Sequence, residues 1–437
     1  MNDLGNTSRP DFVEFPCPEC ATRLKVGVNL IGKPAKCPKC ARVTNVPGAE
    51  APVASSLNAT VPGQVDRLPP GTATSAAALA STGASPTTSS TGAPPAVKPD
   101  LVKAESINRS PVAQSEVGAD TPARQLYRKI TTEVSKVFVG QDDLVLGTLV
   151  ALFSGGHVLI ESVPGLGKTL FVRTLGKILG CDFGRIQFTA DLMPSDITGS
   201  PIFNMKSQEF EFRPGPIFTQ LLLADEINRS PAKTHAALLE IMQEKRVTVD
   251  GISHELDLPF LVVATQNPIE SEGTYNLPEA QLDRFMLKLI ADYPSEQQEA
   301  SILMMHGGQE DLNRRLEEEV NTVTSPAEIN AMTMENASIR IDPLLVNYIN
   351  KIVRLTRQWP QFYMGASPRA GIGLMQGART LAAFYGRDYA VPDDVVQIAL
   401  PALRHRVQLT AEAEVEGQDV DMLLSELIRT VEVPRLK

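Results

Sequence analysis

Thirteen residues, His157 to Thr169 (HVLIESVPGLGKT), hold the side chains best suited to chemistry on a phosphate. Val158, Leu159 and Ile160 form a short apolar run that predicts a buried strand. The chain then passes through Ser162, Val163, Pro164, Gly165, Leu166 and Gly167 to Lys168 and Thr169, at the mouth of a helical segment, LFVRTLGKIL. A loop with little side-chain bulk lets successive backbone N–H groups turn inward around an anion, and the helix N-terminus adds its positive end. In that frame Ser162 to Gly167 cradle the phosphates of a nucleotide, Lys168 reaches the β- and γ-phosphates, and the Thr169 hydroxyl holds Mg²⁺. The usual pattern opens with Gly where this chain has Ser162. That first glycine eases the strand-to-loop turn, so its replacement removes no phosphate contact.

Leu221-Leu222-Leu223-Ala224-Asp225-Glu226 is an apolar run ending in two carboxylates, with Asp225 56 residues after Thr169. Asp225 would bind Mg²⁺ through water and Glu226 would activate an attacking water. A strand followed by an acidic helix cap is the competing explanation, because Asn228-Arg229-Ser230-Pro231 opens a helix. The phosphate loop upstream favours the catalytic pair. Phe260 to Asn267 (FLVVATQN) reads as another buried strand ending in polar groups. Parallel strands present their C-terminal ends on one sheet edge, which would set Asn267 near the γ-phosphate to orient water beside Glu226. Arg284 sits at a helix end before a further strand, and Arg369 near a helix N-terminus where a phosphate could be met. An isolated arginine is ordinarily a solvated surface residue, so these two need context. Gly371 and Gly373 follow no strand and are set aside as a nucleotide loop; Cys181 and the five histidines read as structural.

The elements that must position these groups begin at about Arg124. Two helical segments flank Val139-Gly140-Gln141, and hairpin-like pairs are expected at Ile202–Phe212 and around the Asp250-Gly251 turn. After Tyr293 apolar residues recur at helical spacing over 342–359, 369–385 and 391–407. The expected layout is an α/β core with a parallel sheet flanked by helices over 124–292 and a helical region over 293–437.

Cys17, Cys20, Cys37 and Cys40 form two C-x₂-C pairs separated by sixteen residues. Each pair would present two thiolates to one Zn²⁺, and the metal would supply much of the folding energy of a small module over 1–46. Two disulfides are the rival arrangement. Between them and the core, residues 47–123 form a Pro/Ala/Ser/Thr-rich linker. Ala, Pro, Ser, Thr and Gly make up 45 of the 70 residues from 51 to 120, and no aromatic occurs between Phe15 and Tyr127. Such a stretch buries too little apolar surface to offset its ordering entropy, so disorder is expected. The first 125 residues carry twelve basic and ten acidic side chains, which leaves −12 of the net −10 on residues 126–437. That balance argues against a broad nucleic-acid-binding face on the core. Neither an N-terminal targeting pattern nor an apolar run of about 18 residues is present, so a cytoplasmic protein without a membrane segment is expected.

The order of motifs resembles the AAA+ ATPases, specifically the MoxR group within the helix-2-insert branch. The resemblance covers roughly Arg124 to the C-terminus. It rests on VPGLGKT (163–169), DLMPSDITG (191–199), FRPGPIF (212–218), LLLADEINRSPAKTHAALLEIMQE (221–244), ATQNP (264–268), LPEAQLDRF (277–285) and GASPRA (365–370). The group usually has Gly at the position of Ser162 and often Ala at that of Gly167. The resemblance implies an AAA+ P-loop core with a C-terminal helical lid; the N-terminal segment with its four cysteines separately resembles a zinc ribbon. It implies Lys168 and Thr169 in Walker A, Asp225 and Glu226 in Walker B, and Asn267 as sensor 1. It also implies Arg284 as an arginine finger toward the neighbouring subunit's ATP, Arg369 as sensor 2, and Val139, Gly140 and Gln141 near the adenine. Residues Phe203 to Phe212 would correspond to the helix-2 insert.

A finger acting on a neighbour implies a ring, and hexamers are expected. The function implied is ATP hydrolysis coupled to the remodelling or assembly of protein clients, often with a von Willebrand factor A domain partner, using ATP and Mg²⁺, with Zn²⁺ expected only at the four cysteines of the N-terminal module. Two other classes remain open from sequence: a nucleic-acid motor with the cysteine module as its contact, and a regulatory scaffold switched by nucleotide without useful turnover. The acidic core speaks against the first, and the presence of both Asp225 and Glu226 against the second.

Overall fold

The computed structural model describes residues 118–267, 275, 277–307 and 312–435, and in the amino-terminal region 12–16, 23–27, 33–36, 39 and 43–45. Cys17, Cys20, Cys37 and Cys40, and the expected linker up to residue 117, lie outside the described residues. Two compact units divide the chain at Asp100. In the first, β1 (Phe12–Pro16) pairs antiparallel with β2 (Arg23–Gly27), and β3 (Pro34–Lys36) with β4 (Val43–Asn45). In sequence, each C-x₂-C pair falls in the connection between two paired strands.

The second unit opens with α1 (Pro122–Ser135) and α2 (Asp142–Phe153). Thr121 caps α1 and Pro122 occupies its first turn, where a missing N–H costs nothing. Next come β5 (Val158–Ser162), α3 (Lys168–Leu179), β6 (Phe183–Gln187), α4 (Pro194–Thr198) and an antiparallel hairpin of β7 (Gly199–Asn204) and β8 (Glu209–Pro214). β9 (Leu221–Asp225) leads through a single 3₁₀ turn, Ile227–Arg229, into α5 (Ala232–Glu244), so the helix expected after Glu226 starts later than the Asn-Arg-Ser-Pro segment suggests. A second hairpin, β10 (Arg246–Val249) and β11 (Ile252–Glu255), turns at Asp250-Gly251, both at positive φ (50° and 79°), as Asp-Gly permits. β12 (Leu261–Gln266), α6 (Glu279–Leu282) and β13 (Leu287–Ala291) complete the core.

Five strands form one parallel sheet in the order β13-β5-β12-β9-β6. The three central strands, β5, β12 and β9, are apolar on both faces and almost wholly buried, whereas the edge strand β6 keeps Arg185 and Gln187 exposed. Val158, Ile160, Leu221, Leu223, Leu261 and Val263 face one buried cluster; Leu159, Leu222, Ala224, Val262 and Ala264 face the other. The second cluster is closed by Leu238, Leu239 and Met242 of α5.

The remainder is helical: α7 (Glu296–His306), α8 (Leu312–Glu319), α9 (Pro326–Ser338), α10 (Pro343–Thr356), α11 (Pro368–Phe384), α12 (Pro392–Leu403), α13 (Ala411–Val415) and α14 (Val420–Thr430). Ser325, Asp342 and Ser367 each precede a proline and cap the following helix by accepting a backbone N–H. A short antiparallel pair, β14 (Phe362–Met364) and β15 (Gln408–Leu409), lies just outside the helices expected over 342–359, 369–385 and 391–407. These helices do not build a core of their own. Leu374, Leu381, Ile398 and Leu424 belong to the same cluster as Leu149 of α2 and Ile160 of β5. Close approach makes this possible: a Cβ on Gly377 would lie 2.4 Å from Ile398, and one on Gly147 would lie 2.5 Å from Leu289.

Candidate functional site

The sheet changes direction of growth at β5, whose neighbours β12 and β13 are both distant in sequence. A crevice at the C-terminal ends of the strands is the expected ligand site in such a sheet. The loop leaving β5 there is shaped by two glycines in the left-handed region, Gly165 at φ 88° and Gly167 at φ 72°. Nothing lies within 4 Å of a Cβ built on Gly165, so the loop stands open at that point. Lys168 and Thr169 form the first turn of α3, both half-buried, where four backbone N–H groups lack partners within the helix. Ser162 is buried (3 % exposed) and its hydroxyl has no hydrogen-bond partner.

The register of the sheet brings the other expected groups to this edge. β12 pairs with β5 at Gln266–Glu161 and with β9 at Ala264–Ala224, so Asn267 follows the edge beside Ser162 and Thr265 stands level with Asp225. Asn267 is buried, one residue beyond β12. Asp225 is also buried, and both its oxygens are occupied. Thr265 Oγ1 donates to Oδ1 at 2.6 Å, and Arg185 Nη2 lies 2.7 Å from Oδ2. Glu226 has left the strand and adopts φ 55°, its amide donating to Thr265 Oγ1 at 2.9 Å. Its Oε2 accepts from Gln187 Nε2 at 2.7 Å and lies 3.3 Å from Arg229 Nη1.

Thr265, Arg185, Gln187 and Arg229 are therefore site residues that sequence reading passed over. Arg185 and Gln187 alternate on β6, so both project to one face; Arg185 also donates to Gln187 Oε1 at 2.9 Å. The signal was available once β6 was paired with β9, where Gln187 stands opposite Asp225.

Val139, Gly140 and Gln141 form the turn between α1 and α2, with Gly140 at φ 78° and Gln141 at φ 61°. The preceding residue, Phe138, packs on Phe171 of α3 with ring centroids 5.0 Å apart, and a Cβ on Gly167 would sit 3.6 Å from its ring. The turn is thereby attached to the phosphate loop. Gln141 Nε2 donates to the Asp292 carbonyl at 2.6 Å, beyond β13.

Arg284 and Arg369 are brought together around a third residue. Arg284 follows α6 and is half-buried, with no ion pair among the described residues. Its neighbour Asp283 accepts from Ser367 Oγ at 2.9 Å and lies 3.8 Å from Arg369 Nη1. Arg369, expected at a phosphate, thus contacts a carboxylate beside Arg284.

Cys181 and the described histidines behave as structural residues. Burial pushes the Cys181 thiol up to about 12. Burial likewise lowers His157 to about 4; its Nδ1 accepts the Val262 amide and its Nε2 meets the Met242 carbonyl. Among the described residues no group of three or more His, Cys, Asp and Glu could hold a metal ion, and no helix is long and apolar enough to cross a membrane.

Residues 157–287 match the family described as ATPase family associated with various cellular activities (AAA), and residues 354–427 match the AAA lid domain. The chain is 46 % identical over 309 residues to the protein YeaC of Bacillus subtilis, covering 71 % of this chain and 95 % of that one. It is 42 % identical to Chaperone MoxR1 of Mycobacterium tuberculosis, covering 73 % and 86 % respectively. Protein MoxR of Methylorubrum extorquens is 30 % identical, with 72 % and 97 % covered. A crystal structure of a putative ATPase from Cytophaga hutchinsonii superposes with a TM-score of 0.67 at 40 % identity, covering 72 % of this chain and 96 % of that one.

Proposed function

The chain belongs to the MoxR family of AAA+ ATPases, and from that premise we propose that it hydrolyses ATP to remodel or assemble protein clients, as a six-membered ring set by a finger shared between subunits. The observation that carries this reading is the convergence of Gly165 to Thr169, Asp225, Glu226 and Asn267 on one edge of a parallel sheet. The donor set suits a magnesium nucleotide. Open glycine backbone and a helix N-terminus favour phosphate, and the Asp225 carboxylate already attracts one cation, the guanidinium of Arg185. Mg²⁺, when bound with ATP, neutralises charge on the β- and γ-phosphates.

The protein's own part follows from its residues. Lys168 and the α3 N-terminus would hold the phosphates, with Thr169 and Asp225 as the magnesium ligands. Glu226 would take the proton from the attacking water that Asn267 orients. Gln187 and Arg229 hold the Glu226 Oε2. Arg284 would reach the neighbouring subunit's nucleotide, and Val139 to Gln141 would flank the adenine. The β7–β8 hairpin would serve as the insert that meets a client: Phe203 and Phe210 stack edge-to-face at 5.3 Å while both remain exposed, and Met205 is 86 % exposed. A von Willebrand factor A domain protein is the partner class we propose. For the amino-terminal module we propose one Zn²⁺ on Cys17, Cys20, Cys37 and Cys40, tested by metal analysis of the purified chain before and after Cys17→Ser.

The deciding experiment is the ATPase rate per subunit against protein concentration, for the wild type and Arg284→Ala. A rate that rises with concentration, and is lost in the variant although ATP still binds, supports a ring with shared sites. A flat, low rate in both would favour the nucleotide-gated scaffold instead.

A further inference from the structure

We infer that Asp283 is a positioning residue that ties the placement of Arg284 to the helices beyond β13, so that movement of those helices and presentation of Arg284 to a neighbour are one event. The inference rests on the reading of Arg284 as acting on the neighbouring subunit's nucleotide.

The geometry is concentrated in one buried guanidinium. Arg406, just beyond α12, has a side chain only 3 % exposed. Its Nε donates to Asp283 Oδ1 at 2.8 Å. Its two terminal nitrogens donate to the carbonyls of Asp283 (3.1 Å), Phe285 (2.7 Å) and Met286 (3.1 Å), and to that of Ala402 at the end of α12 (2.6 Å). His405 Nε2 adds a contact to the Phe285 carbonyl at 3.0 Å. The backbone is therefore gripped on both sides of Arg284 by a residue more than a hundred positions away.

Burying an arginine is unfavourable unless its charge and every N–H are met. Here four of its five N–H groups are met by residues 283–286, around Arg284, and the fifth by Ala402 of α12, which fixes that loop against α12. The Asp283 carboxylate then extends the grip to α11. Ser367, the cap of that helix, donates to both of its oxygens at 2.9 Å, and Arg369 in the first turn lies 3.8 Å away. α11 and the turn after α12 thus converge on one carboxylate, immediately before the arginine offered to the neighbour. A shift of α11 that moves Ser367 and Arg369 must move Asp283 or break its contacts. Misplacing a catalytic group by as little as 1 Å is enough to slow a reaction steeply. Nucleotide-driven motion in one subunit would in this way set the rate in the next.

The test uses the full chain carrying Asp283→Asn, alone and mixed in equal amounts with Glu226→Gln. The first variant keeps its own phosphate loop and Glu226 but misplaces Arg284; the second keeps Arg284 in place but lacks the base. Asp283→Asn alone should lose about 10²-fold in kcat, with affinity for a fluorescent ATP analogue unchanged. The mixture should recover activity, because Glu226→Gln subunits lend a well-placed Arg284 to their neighbours, and Arg284→Ala mixed with Glu226→Gln should recover likewise. Recovery with Arg284→Ala but not with Asp283→Asn would overturn the inference, since Asp283 would then serve its own site. Failure of both mixtures would remove the shared-finger reading and the inference with it. Should Asp283→Asn fail to fold, Ser367→Ala replaces it in the same mixture. A lowered kcat that the mixture restores supports the inference, and a loss of nucleotide affinity instead overturns it.

Discussion

Thr265 Oγ1 donates to Asp225 Oδ1 at 2.6 Å from the neighbouring strand, and the same oxygen accepts the Glu226 amide at 2.9 Å. One buried hydroxyl therefore orients the carboxylate of the first acid and the backbone of the second. Glu226 stands at φ 55°, a left-handed conformation that non-glycine residues adopt only where the surroundings enforce it.

Thr265→Val keeps the shape and removes the hydroxyl. It would leave the Glu226 amide without its acceptor and free the Asp225 carboxylate to rotate. An unmet buried polar group costs about 1–3 kcal/mol, so kcat should fall roughly ten- to a hundredfold if that cost is felt in the transition state. Steady-state kinetics would check this; a change confined to KM would show that the hydroxyl serves binding alone.

Lys168→Ala should weaken nucleotide binding itself, whereas Glu226→Gln should bind ATP and stall, losing about 10²–10⁴-fold in kcat as a removed general base does. Equilibrium binding of a fluorescent nucleotide separates the two. Normal turnover by Glu226→Gln would move the base to another residue.

Arg185 Nη2 lies 2.7 Å from Oδ2 of Asp225, the carboxylate proposed above as a magnesium ligand. Removing that guanidinium in Arg185→Ala should let the nucleotide-free protein take up Mn²⁺ more readily, seen as loss of the free-ion signal in electron paramagnetic resonance. It should also lower the Mg²⁺ concentration needed for half-maximal ATPase rate. Unchanged uptake would make the contact incidental.

His157 predicts an acid-labile core. Burial lowers its pKa to about 4, against about 6.5 for an unfolded histidine. Between those values the unfolded chain binds the extra proton, so stability is fully present above pH 6.5 and is lost as pH falls toward 4, by about 3 kcal/mol. Denaturant midpoints measured across that window should fall with acid in the wild type and less steeply in His157→Gln. His405, lowered by burial and by Arg406, adds in the same direction.

What was legible in the sequence was local. The phosphate loop, the Asp225-Glu226 pair and the strand before Asn267 each declare themselves within ten or so residues, through glycines, an apolar run and its polar end. The start of α1 was not read: Thr121 and Pro122, its cap and first residue, fall inside the stretch to residue 123 that composition assigns to the linker. Thr265 was not, although its strand was, because its role exists only once β12 lies against β9. Arg185 needed the pairing of β6 with β9 for the same reason. Asp283 and Arg406 are further apart still, and no local pattern links them. β14 and β15 escaped because strands of three and two residues are too short to show alternation.

The hydrophobic cluster shared by Leu149, Ile160, Leu374, Ile398 and Leu424 has a consequence for how the protein comes apart. Two regions that draw on one core cannot melt separately without exposing each other's apolar surface, so the described residues from 118 onward should unfold in a single cooperative transition. A nucleotide held at the tip of α3 would then raise the melting temperature of α14 as much as that of β5.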